Sequence, residues 1–171
     1  HRDPSAEISV GDILNHPALI QTQTWSLTGG EPLLQASFIK KLLAGCSRKI
    51  LLETNGTLPE AFSSIRELVD VVSMDLKPEA GLLDKQIEFA RLACCRELYF
   101  KLVITAESSL DELLEYLDFF KGFSRCLFVL QPEFSAFSDT LRKALMLHDS
   151  VQVKFPRVRI IPQVHKWMGV K

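Results

Sequence analysis

The sequence has no apolar run of 18 or more residues, so no membrane-spanning helix is expected. Residues 1–10 (HRDPSAEISV) lack the apolar core of a secretion signal. There is no excess of charge either: 20 basic and 21 acidic residues leave a net charge of -1. That balance provides no field to hold a polyanion, which argues against a nucleic-acid partner. No cysteine pair has metal-ligand spacing. The four cysteines, Cys46, Cys94, Cys95 and Cys126, are too scattered for a disulfide framework. Adjacent Cys94 and Cys95 would point to different sides of a helix. All four read as free thiols of a reducing compartment, so a cytoplasmic protein with no metal ligands of its own is expected.

What is present suits one globular domain. Of 171 residues, 47% are apolar and 24% charged, a composition too apolar for disorder. Strand-like segments recur at 24–28, 49–54, 70–76, 97–104, 126–131 and 157–161. Helical patterns fill the gaps at 32–45, 57–68, 82–95, 109–121 and 138–148. Thr57 with Glu60, and Ser109 with Glu112, have capping-box spacing. A short helix capped by Ser9 precedes the first strand. This alternation predicts a parallel sheet with right-handed crossovers. A helix leading into the first strand leaves room for a strand before it. The chain therefore reads as a single domain over 1–171 that starts one βα unit late.

Side-chain parity separates the two architectures that fit. Ser73, Asp75 and Lys77 share one face of their strand, and Val72, Met74 and Leu76 the other. Lys101 and Thr105 share a face, as do Arg159, Ile161, Gln163 and His165. A doubly wound sheet is covered by helices on both faces and should not carry such polar rows. A wide, incomplete α/β barrel with a solvated interior accommodates them. Ligands of such folds bind at the carboxyl ends of the strands. There the first strand runs into Thr28-Gly29-Gly30-Glu31-Pro32, where two glycines allow close backbone approach. Neither the glycine spacing nor a Lys-Ser/Thr pair of a phosphate loop is present. The second strand runs into Glu53-Thr54-Asn55-Gly56, a turn signal with an acidic residue at the strand tip.

Three segments taken together, Ser26 to Leu34, Glu53 to Thr57 and Asp70 to Pro78, resemble the core of the radical S-adenosylmethionine enzymes, which are partial (β/α)6 barrels. Leu130-Gln131-Pro132 and the segment from Arg159 to Lys166 (RIIPQVHK) narrow the resemblance to the 7-carboxy-7-deazaguanine synthase family. That family contracts a tetrahydropterin ring on the pathway to 7-deazapurines such as queuosine. The resemblance covers residues 24–169. It implies that Gly29, Gly30 and Glu31 hold the methionine amino group of S-adenosylmethionine. It implies that Ser73 and Gln131 approach the ribose, and that Glu53 and Asn55 lie near cofactor or substrate. Thr28, Gln163 and His165 would reach a small-molecule substrate, a pterin. No catalytic residue is assigned. The implied activity is that of a lyase or synthase using S-adenosylmethionine and a 4Fe-4S cluster, with Mg2+ as a further candidate and a homodimer as a candidate assembly.

One departure from the family is large. The C-x3-C-x2-C motif that holds the cluster is absent from this sequence. The chain as written is expected to be inactive, either as a fragment lacking an N-terminal unit or as a degenerate homologue. The retained site residues favour the fragment. Gly-Gly-Glu-Pro is also shared with the activases of glycyl-radical enzymes. An activase and a non-catalytic nucleoside-binding remnant therefore stand as alternatives.

Overall fold

Alternation along the strands organises the molecule. The computed structural model describes residues 8–78 and 81–169. Six strands, β1 (Thr24–Leu27), β2 (Lys49–Thr54), β3 (Val71–Leu76), β4 (Glu97–Ile104), β5 (Leu127–Pro132) and β6 (Val158–Ile160), form one sheet in chain order. Every neighbouring pair is parallel. On β2, Ile50, Leu52 and Thr54 are buried, whereas Leu51 and Glu53 are half-buried. On β4, Leu98, Phe100, Leu102 and Ile104 are buried, whereas Tyr99, Lys101 and Val103 are half-buried. One face is thus a hydrophobic core and the other a wet wall. The strand order never reverses, as a doubly wound sheet requires. The sheet is not closed, and β1 and β6 are its edges. This is the open α/β architecture, consistent with a partial barrel, that the polar rows require.

The helices are α1 (Val10–Leu14), α2 (Pro17–Ile20), α3 (Ala36–Leu43), α4 (Pro59–Ser63), α5 (Leu83–Ala93), α6 (Leu110–Asp118), α7 (Phe137–Val151) and α8 (Val164–Trp167). Apolar stripes on the longer ones bury Ile39, Leu42 and Leu43 of α3, Phe89, Ala90 and Ala93 of α5, and Ala144, Leu147 and Val151 of α7. Phenylalanines fill the layer between helices and sheet. Phe100 stacks at 4.8 Å on Phe128 and 5.3 Å on Phe120, and Phe128 at 4.3 Å on Phe155. Such tilted pairs add about 0.5–1.5 kcal/mol each beyond the area they bury.

Capping was read correctly in two places and wrongly in one. Ser9 forms a full capping box with Asp12 at α1, and Ser109 accepts from the Glu112 N–H at α6. Thr57 caps nothing. Its N–H and hydroxyl both donate to Asn55 Oδ1, at 3.0 and 2.6 Å. Leu58 takes the N-cap position and Pro59 opens α4. The asparagine side chain accepts both Thr57 donors in a tight local turn, which aims the Thr57 hydroxyl back at Asn55 rather than at the helix N–H groups. Proline at the first helical position also removes one donor that would need a cap. The four-residue helices α2 and α8 escaped the sequence reading because neither is long enough to show a helical period.

Gly56 is the middle residue of that turn, with φ +69°, and a Cβ there would lie 3.1 Å from Met74 Sδ and 3.2 Å from its Cγ. Gly56→Ala is expected to cost about 1–3 kcal/mol, from left-handed strain plus displacement of Met74. Gly45→Ala meets open space and should be neutral or slightly stabilising. Urea midpoints of the two variants check this; equal midpoints would contradict it.

Candidate functional site

The turn after β1 and the carboxyl end of β2 meet through one carboxylate. Glu31 follows the Gly29-Gly30 turn. Its Oε1 accepts from the Leu33 N–H at 3.1 Å and from the Thr54 hydroxyl at 2.9 Å. Its Oε2 accepts from the Asn55 N–H at 2.9 Å. Glu31 therefore starts the turn of Pro32–Gln35 and ties it to the end of β2. The adjacent Gly29 has φ +127°, and no atom lies within 4 Å of a Cβ built on Gly29 or Gly30. Their backbone faces open space.

A second clamp holds the rim from behind. Gln86 on α5 is fully buried. Its Nε2 donates to the carbonyls of Asn55 at 2.8 Å and Asp75 at 3.2 Å, while its Oε1 accepts from the Tyr116 hydroxyl of α6. The buried amide thus uses both donor hydrogens and an acceptor, which offsets its desolvation.

Two cavities open on the polar face. The upper, about 170 Å3, is lined by Thr28, Gly29, Gly30, Glu53, Thr54, Asn55, Asp75 and Lys77. The deeper, about 340 Å3, is lined by Glu53, Ser73, Tyr99, Lys101, Gln131 and neighbouring apolar residues. Glu53 belongs to both walls. Lys101 Nζ lies 2.8 Å from Asp75 Oδ1 and 3.7 Å from Glu53 Oε2. The Ser26 hydroxyl donates to Glu53 Oε1 at 3.2 Å. Desolvation by burial pulls the Lys101 pKa down. The Asp75 hydrogen bond and the charges of Asp75 and Glu53 outweigh it, and the net shift is upward.

Most of the expected site residues gather here. Thr28, Gly29, Gly30 and Asn55 line the upper cavity, Ser73 and Gln131 the deeper one, and Glu53 both. Ser73 sits in mid-strand rather than at a tip and is 1% exposed. Glu31 is engaged by protein donors, as described. Gln163 precedes α8 without a side-chain capping bond; its Oε1 accepts from the Phe134 N–H at 3.2 Å, and it is not among the residues lining either cavity. The backbone of His165 lies in α8, and its side chain lies outside the described residues.

Parity had turned Asp75, Lys77 and Lys101 inward without giving them a role; the structure puts them, with Tyr99, on the cavity walls. Gln86 was missed. Its signal was a polar residue in an apolar stripe with Leu82, Phe89, Ala90 and Ala93, which demands a buried partner.

Burial also pushes the Tyr116 pKa upward, against the Lys77 N–H that donates to it. Both shifts have the same sign. A group raised in the folded state contributes stability that is complete below its unfolded pKa, about 10 for tyrosine and 10.4 for lysine. That contribution is lost as pH rises through the folded value. Urea melts should therefore show stability falling above about pH 10. Lys101→Met and Tyr116→Phe should each flatten the fall. At neutral pH Lys101→Met should cost roughly 1–2 kcal/mol, since the ion pair is partly solvated. An unchanged alkaline slope in both variants would refute the assignment.

No family model matches the chain. Among characterised proteins it is 36% identical over 154 residues to the 7-carboxy-7-deazaguanine synthase of Archaeoglobus fulgidus, covering 84% of this chain and 65% of the relative. It is 33% identical over 156 residues to that of Geobacter sulfurreducens, covering 84% and 62%. It is 28% identical over 208 aligned positions to that of Methanothermobacter thermautotrophicus, covering 99% and 81%. The chain thus spans a little under two thirds of the length of the first two relatives. Over most of its own length, the chain is a relative of the 7-carboxy-7-deazaguanine synthases.

Proposed function

We propose that this chain is a single barrel domain of a radical S-adenosylmethionine enzyme that acts on a tetrahydropterin in 7-deazapurine biosynthesis. The observation that carries the reading is the pair of cavities meeting at Glu53 on the polar face. The upper is lined throughout by residues of the segments that resemble that family, and the deeper by Glu53, Ser73, Gln131 and Ile161 of them. An activase would need an open groove for a polypeptide, whereas the deeper cavity, about 340 Å3 with mixed polar and apolar walls, suits a small heterocycle.

The upper cavity fits the methionyl part of S-adenosylmethionine. Gly29 and Gly30 present open backbone to it. Lys77 offers a positive charge for the carboxylate, and Glu53 and Asp75 offer negative charge for the ammonium. Ser73 and Gln131 are the candidate partners of the ribose hydroxyls, and Thr28 and Asn55 complete the rim. Glu31 acts on the ligand through the loops it ties together. Gln163 and His165, the remaining substrate candidates, lie in the segment that enters α8. When bound and reductively cleaved, S-adenosylmethionine supplies hydrogen abstraction; this chain's residues orient the two ligands and keep the deeper cavity's charges paired.

The cluster is a different matter. Among the described residues no group of three His, Cys, Asp or Glu could hold a metal. The four cysteines sit on separate elements or on the surface. These residues do not fit a 4Fe-4S cluster, which needs thiolate ligands. Mg2+ at Glu53 and Asp75 would have to displace the Lys101 ammonium.

Isothermal titration of the 171-residue chain with S-adenosylmethionine tests the binding half. Weak, saturable binding is expected, reduced about tenfold or more by Gly29→Val, which fills the open approach and strains a positive φ. Gly45→Ala should leave it unchanged. Failure of the parent chain to bind would overturn the reading. Anaerobic treatment with iron, sulfide and dithionite tests the cluster half: no stable cluster and no 5′-deoxyadenosine are expected from this chain.

A further inference from the structure

At the opposite, amino-terminal end of the sheet lies a separate cavity of about 220 Å3, whose wall includes Arg96, Arg125, Arg157 and Cys126. The register explains why the arginines converge. Tyr99 pairs with Leu127, and Phe128 with Val158. Arg125 and Arg157 therefore lie on the same face of adjacent strand entrances, as diagonal neighbours. Like charges so placed repel. Among the described residues neither has a carboxylate within 4.0 Å. Arg157 Nη1 donates only to the Arg125 carbonyl, at 3.1 Å. Arg96 spends one nitrogen on Glu67, while its buried Nε has no hydrogen-bond partner among the described residues. The wall's one carboxylate, Glu97, is turned to Lys49 at 3.5 Å.

We propose that this pocket binds a phosphate-class oxyanion, free or as a monoester, bridged between Arg125 and Arg157. Two arginines without carboxylate partners line one concavity with room for such an anion, and paired guanidinium forks are the geometry that phosphate oxygens accept best. The chain's net charge of -1 makes this a local feature and not a general affinity for polyanions. Tyr99 and Leu127 line both this pocket and the deeper cavity of the candidate site. An occupant would therefore touch the wall that the two cavities share. The inference stands on these residues alone and survives if the proposed reaction is wrong.

Cys126 provides a local reporter. Burial pushes its thiol pKa up, the nearby Cys94 adds to this, and the nearby Arg157 opposes it. Inorganic phosphate is titrated into the full chain at constant ionic strength with chloride as the balancing ion. Iodoacetamide labelling of Cys126 and Cys46 is followed by peptide mapping, beside the melting temperature. Phosphate should slow Cys126 labelling roughly fivefold or more, by covering the thiol and screening Arg157, and should raise the melting temperature saturably. Cys46, between α3 and β2, should be unaffected. The effect should vanish in the Arg125→Ala/Arg157→Ala double variant and weaken in Arg125→Gln, a milder change at an exposed position. A parallel titration with glycerol 3-phosphate identifies the source: tighter binding than phosphate assigns a monoester, weaker binding the free ion. Unchanged Cys126 labelling in phosphate, or equal slowing in the arginine variants, would overturn the proposal.

Discussion

A parallel sheet with its helices on one face must find water or ligand for the other. That constraint runs through this molecule. Each strand sends alternate residues into a core of Leu52, Met74, Phe100 and Phe128, none more than 1% exposed. The remaining residues face a wall where Lys101 lies against Asp75 and Glu53. These charges are tolerable because they are mutually paired and partly solvated. A helix laid over this face would strip their water and leave Ser73, Tyr99 and Gln131 in need of partners.

The rim depends on two polar clamps of different kinds. Glu31 works at the surface of the cleft and ties the glycine turn to the end of β2. Gln86 works in the core and fixes two carbonyls of neighbouring strand ends from behind. Loops at strand ends are the mobile parts of such folds. Here they are held by charge-assisted or buried hydrogen bonds, which are costly to leave unmade. The open backbone at Gly29 and Gly30 is therefore presented in a defined place. At the opposite end of the sheet Arg157 reaches the Arg125 carbonyl, but among the described residues no carboxylate pairs with either arginine. This leaves two like charges side by side over a cavity.

Much of this was legible in the residues. Six strands, their parallel pairing and the polar row Ser73, Asp75, Lys77 follow from apolar spacing and parity. Period-two alternation survives any detail of packing. The expected Thr57 cap does not form because Thr57 is itself a donor to Asn55, and capping-box spacing does not show which way a hydroxyl is drawn. Glu31 was expected to hold a ligand amino group, and its carboxylate is engaged by protein donors instead. That its carboxylate would meet Thr54 and Asn55 depends on the approach of β1 and β2, 23 and 24 residues apart in sequence.

The sequence by itself determined which residues face inward, because backbone geometry alone sends neighbours to opposite sides of a strand. It also determined that cluster cysteines are missing from this chain, because composition needs no fold to be read. Tertiary structure alone decided which inward residues pair. Lys101 chooses Asp75 over solvent, Gln86 reaches two strand ends at once, and three arginines from successive loops meet at one cavity. Those outcomes depend on distances between elements. Distances are set by how the phenylalanine layer packs the helices on the sheet, and packing is a property of the whole chain that no single segment carries.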